Sequence, residues 1–159
     1  MNLKPGMPAA AAVLRGSVLA PRISGTVEFY PVESGTVVRV DVCGLPVYMP
    51  AAEGRQPVGP FGFHIHEGNS CTPADGMNPF SSSGGHYNPA RQPHGNHAGD
   101  LPVLFSNHGC AHMCVFTDQF RVEEVIGRTV IIHQNPDDFR TQPAGNSGLK
   151  IACGVISRI

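Results

Sequence analysis

The chain has 159 residues, about one domain and enough to bury a hydrophobic core. Charged residues make up 14% and the net charge is −1, so no basic stripe is present to hold nucleic acid or an anionic membrane. No apolar run approaches the roughly 18 residues that a membrane-crossing helix requires.

The segment from Met1 to Leu19 carries Lys4 but is broken by Pro5, Gly6 and Pro8. Residues 1–8 are expected to be a flexible extension of a single domain spanning 1–159. The segment does not read as a secretion signal, which favours the cytoplasm, although a trimmed mature chain would read the same way. The 19 glycines and 15 prolines are scattered between short apolar runs and read as turn punctuation in an all-β protein.

In chain order, strands are expected near Ala10–Val18, Ile23–Tyr30, Thr36–Cys43, Gly62–His66, Leu101–Ser106, Ala111–Thr117, Thr129–His133 and Lys150–Ile156. The clearest patterning alternates Val27 and Phe29 with Thr26, Glu28 and Tyr30, the period of a half-buried strand. Ser-Gly at 24–25 and 34–35, Asn107-His108-Gly109 and Ile126-Gly127 are expected near bends. Eight such strands predict an all-β fold, an eight-stranded Greek-key β-barrel or sandwich. Two long polar stretches, Gly68–Gly99 and Gln134–Gly148, interrupt the strands. They hold or adjoin most of the histidines, which marks them as functional loops.

The eight histidines are patterned. His64 and His66 occupy i and i+2 of a strand, so both imidazoles face one side while Ile65 faces the core. His86, His94, His97 and Asp100 follow as His-x7-His-x2-His-x2-Asp, a plausible tetrahedral zinc set. His133 ends the apolar run from Thr129 and is placed to complete a site built from distant segments. Imidazole suits copper and zinc alike.

The segments GFHIHE (62–67), GGHYNP (84–89), HAGDLP (97–102), GRTVIIH (127–133) and GNSGLKIACGVI (145–156) closely resemble the copper-zinc superoxide dismutase family. They stand in the family's order and cover most of the chain beyond Gly62. The family is counted among sandwich architectures, so the resemblance also informs the expected fold. It implies that His64, His66, His86 and His133 hold copper, that His86, His94, His97 and Asp100 hold zinc, and that His86 is shared. It further implies that Asp137 links a copper-bound and a zinc-bound histidine, His64 and His94, and that Cys71 pairs with Cys153. The implied reaction dismutates superoxide to dioxygen and hydrogen peroxide by Cu(II)/Cu(I) cycling, with His86 delivering a proton. A homodimer is common in the family.

Lys150 stands where the family usually carries an arginine beside the copper. The charge is kept and the planar fork of donors lost. Ala144 takes a place where threonine often narrows the channel, and the interval from His94 to His97 is short. Residue spacing alone leaves the five cysteines open between one disulfide and two. In His108-x-Cys110-x-His112-x-Cys114 the even-numbered side chains would share one face if extended. Exposed, functionally neutral side chains are expected there, with an accessory copper patch as the alternative. The rival to the enzyme is a non-catalytic metal-binding or structural protein on the same fold.

Overall fold

The computed structural model describes residues 6–72 and 78–159. Part of the expected N-terminal extension (1–5) and part of the first long loop (73–77) lie outside the described residues. Among the described residues eight strands occur: β1 (Ala10–Gly16), β2 (Ser24–Val32), β3 (Gly35–Cys43), β4 (Phe61–His66), β5 (Asp100–Leu104), β6 (Cys110–Thr117), β7 (Thr129–His133) and β8 (Lys150–Arg158). A single turn of 3₁₀ helix at Ser81–Ser83 and one short helix, α1 (Val122–Val125), complete the elements. No helix among the described residues is long and apolar enough to cross a membrane.

The strands form one antiparallel sheet in the order β5-β4-β7-β8-β1-β2-β3-β6. Its end strands β5 and β6 approach one another, which curls the sheet into a nearly closed barrel. β2 and β3 form a hairpin around Glu33-Ser34. The step from β3 to β4 leaves that neighbourhood, because β4 pairs with β5 and β7 instead.

Alternation supplies the core. Leu14, Val27, Phe29, Val38, Val40, Phe61, Phe63, Ile65, Val130, Ile132 and Ile156 are wholly buried and pack together. Each such side chain contributes about 1.5–3 kcal/mol of burial free energy. All six residues of β4 are buried, not only the inward-facing half. Phe61, Phe63 and Ile65 enter the core, while the other face, with Gly62, His64 and His66, is covered by the long loops. Gly62 donates its N–H to the Asn135 carbonyl, and His66 donates from Nδ1 to that of Gly84. A second, smaller cluster outside the barrel wall joins Ile131 and Cys153 to Phe80.

Ser24-Gly25 opens β2 directly after the turn over 17–22. Gly25 is required because a Cβ there would overlap the Asp41 carbonyl of β3, so this glycine marks a close approach of strands.

The cysteines form two disulfides, Cys71–Cys153 and Cys43–Cys110, leaving Cys114 free and exposed among the described residues. The second bond corrects the expectation of neutral exposed side chains around Cys110. The register of β3 against β6 sets Cys43 directly opposite Cys110, so the pair closes across adjacent strands. β6 begins only at Cys110, and His108 sits in the preceding turn with φ 52°. On the same sheet face, His112 pairs with Asp41. The disulfide takes Cys110 out of any accessory pair of ligands, and Cys114 alone of the two cysteines keeps a free thiol.

Candidate metal centre

Two groups of ligand-type side chains lie against the loop-covered face of β4. In the first, one nitrogen each from His64, His66, His86 and His133 lie within 4.8 Å of one another. In the second, His86, His94, His97 and Asp100 meet within the same limit. His86 belongs to both.

The first group is set mostly by strands. The i, i+2 pair on β4 aims two rings to one side, and the antiparallel neighbour β7 supplies His133 at its end. Hydrogen bonds then fix which nitrogen faces inward. His66 donates from Nδ1 to the Gly84 carbonyl (2.9 Å) and His133 from Nδ1 to that of Gly148 (3.3 Å). Both Nε2 atoms therefore carry lone pairs, yet they stand 3.1 Å apart. Two acceptors at that distance repel unless a cation lies between them. His64 donates from Nε2 to Asp137 Oδ2 (2.6 Å), which leaves its Nδ1 buried with no partner.

The second group is set by hydrogen bonds rather than by a sheet. Asp100, at the start of β5, receives His86 Nδ1 at 2.8 Å. Its other oxygen accepts the N–H groups of Gly95 (2.9 Å) and His97 (3.1 Å) and lies 3.2 Å from His94 Nδ1. The Gln142 side chain clasps the His94 backbone from the other long loop, accepting its N–H at 2.8 Å and donating to its carbonyl at 3.2 Å.

Asp137 joins the groups. It accepts His64 Nε2 on one oxygen and His94 Nε2 (2.8 Å) on the other. Burial alone would raise its carboxyl, but those bonds and the Phe139 N–H hold it well below the usual carboxylate range. Burial opposes Asp100 likewise, and the His86 and Gly95 bonds hold it low. His66 and His133 move well below the ordinary imidazole value, chiefly because burial disfavours their charged forms. His64 shifts the same way for the same reason, against the pull of Asp137.

The donor chemistry fits the metals implied by the sequence. Buried nitrogens without partners, His64 Nδ1, His86 Nε2 and His94 Nδ1, point into the groups. Three imidazoles and a carboxylate suit zinc, and four imidazoles suit copper. Lys150 begins β8 opposite His133, so the structure brings it to the edge of the first group. The structure thus brings His64, His66, His86, His94, His97, His133 and Asp100 into the two groups, sets Asp137 between His64 and His94, and pairs Cys71 with Cys153 as a disulfide. The sequence reading missed Ser83, Gln142 and Gly145. The first two carry no local signal, whereas Gly145 lies in the Gly-Asn-Ser-Gly run and has φ 64°. A Cβ at Gly145 would overlap Asp137 Oδ1, so this backbone allows the Asp137–His94 bond to form.

Comparison with known proteins agrees with this donor set. The family model for copper/zinc superoxide dismutase matches residues 23–156. A protein named superoxide dismutase [Cu-Zn] from Deinococcus radiodurans is 35% identical over 155 residues, covering 87% of this chain and 79% of its own. A protein named superoxide dismutase [Cu-Zn] 2 from Aquifex aeolicus is 33% identical, covering 84% of this chain and 79% of its own. The solved Cu/Zn superoxide dismutase from Brucella abortus superposes with a TM-score of 0.73 at 28% identity, covering 92% of this chain and 98% of that one. The chain belongs to the copper/zinc superoxide dismutase family.

Proposed function

We propose that the described barrel and its loops work as one superoxide dismutase unit, converting two superoxide ions and two protons to dioxygen and hydrogen peroxide. Copper would be held by His64 Nδ1 and by Nε2 of His66, His86 and His133. Zinc would be held by Nδ1 of His86, His94 and His97 together with Asp100. Copper bound there would supply the one-electron redox chemistry.

The chain's own groups do the rest. His86 is positioned to carry a proton on Nε2 and give it to the reduced product, because its ring is held on the Nδ1 side by the Asp100 group. Asp137 fixes the tautomers of His64 and His94. Lys150 supplies the positive charge beside the first group that draws an anion inward, without the fork of an arginine. The single observation carrying this reading is the sharing of His86. Its Nε2 is buried and unpartnered in one group, while its Nδ1 lies in the other.

The test is to load the protein with both metals, count each per chain and assay superoxide removal beside His133→Ala. One copper and one zinc, with turnover lost in the variant, is the expected result. Tight binding of both metals without turnover would instead support a non-catalytic metal-binding protein, the reading that Lys150 keeps alive. We further propose a homodimer, which sedimentation of the loaded protein would detect.

A further inference from the structure

Lys150 does not hang free over the site. Its ammonium donates to Ser83 Oγ at 2.7 Å, to the Gly84 carbonyl at 2.8 Å and to the Phe80 carbonyl at 3.4 Å. An ammonium has three protons, and all three have acceptors within the protein. Ser83 is wholly buried and its hydroxyl donates onward to the Phe80 carbonyl at 2.8 Å, so it meets Lys150 with a lone pair. The Gly84 carbonyl that receives Lys150 also receives His66 Nδ1. Lys150, Ser83, Gly84 and His66 therefore form one connected network at the edge of the first histidine group.

We propose that Ser83 is a positioning residue that ties down the Lys150 ammonium, so that this chain draws its anion by charge at a distance rather than by a hydrogen bond from Lys150. The inference rests on the reading of the first group as the copper site with Lys150 beside it. A guanidinium has five N–H donors and can meet two carbonyls while keeping donors for an anion. An ammonium meeting the same wall has none left once Ser83 takes the third. Ser83 is thus the residue that decides whether the lysine offers a hydrogen bond, while the charge stays in place either way.

Two measurements test this. In metal-free protein with ¹⁵N-labelled lysine, the Lys150 ammonium should give a resolved signal with slowed hydrogen exchange, and Ser83→Ala should remove that protection. In the copper- and zinc-loaded protein, azide serves as the probe anion in an optical titration. Ser83→Ala should bind azide about fivefold more tightly, roughly the net worth of one hydrogen bond. Lys150→Met should weaken azide binding, and adding Ser83→Ala to it should change nothing further.

Unchanged or weaker azide binding in Ser83→Ala, with Lys150→Met still weakening it, would overturn the role given to Ser83 alone. An equal effect of Ser83→Ala in the Lys150→Met background would also overturn it, since Ser83 would then act without the lysine. Azide binding unmoved by Lys150→Met would instead overturn the anion-drawing role of Lys150 on which the proposal stands.

Discussion

The two histidine groups share a ring but are built by opposite means. His64, His66 and His133 stand on β4 and β7, where pleat and pairing set the direction of each side chain. His94 and His97 stand on a chain of turns, and three other residues hold them: Asp100, Asp137 and Gln142. A strand positions a ligand through a ladder that the whole sheet stabilises. A loop positions one only through the few hydrogen bonds it makes, so its geometry is more easily lost to a single substitution.

The largest effect should come from cutting the covalent anchor of the first long loop. Cys71→Ser with Cys153→Ser opens a bond spanning 82 residues, and the loop-closure model assigns it about 4 kcal/mol. Urea unfolding of the metal-free protein should show that loss. Asp137→Ala strips the acceptor from two buried imidazoles and should lower zinc affinity by about 10–100-fold. Chelator competition, run for zinc and copper separately, measures this. Copper affinity falling further than zinc affinity would contradict the contrast between strand and loop.

Gly145→Ala must both hold a left-handed backbone and move Asp137, and the backbone alone costs about 1–2 kcal/mol. Gln142→Ala removes two hydrogen bonds to His94 and should cost about 1–2 kcal/mol of zinc binding, leaving copper binding unmoved. The same chelator titrations read both variants.

Acid separates the two constructions by window. His66 and His133 are held below their ordinary value of 6.5 in the folded protein, so the unfolded chain takes up protons first. Metal-free stability should be full above pH 6.5 and fall as pH drops below it. Asp100 and Asp137 are held below 3.8, so their contribution is kept until pH falls below that value. Urea midpoints between about pH 8 and 3 should show two descents, an upper one from the strand histidines and a lower one from Asp100 and Asp137. His133→Gln should flatten only the upper one.

Strand identity was legible because alternation is local: all eight expected strands occur, with ends shifted by a few residues. The β4 histidine pair was legible for the same reason. The resemblance, not spacing, pointed to Asp137 and to Cys71 with Cys153. Cys43–Cys110 was not legible, because it depends on the register of two strands far apart in the chain. The close strand approach at Gly25 was not legible, because glycine serves a turn and such an approach equally well and only the partner strand distinguishes them. Gln142 and Ser83 act through side chains reaching across loops, which no periodicity records.

The Cys43–Cys110 bond encloses His64, His66, His86, His94, His97 and Asp100, leaving only His133 of the two groups outside. Even a fully unfolded oxidised chain therefore carries six of the seven on one covalent ring. Closing that ring limits how far the six can wander apart and raises their effective concentration for one another. Ions meeting the chain before the barrel forms would encounter a macrocycle of ligands rather than an open polymer.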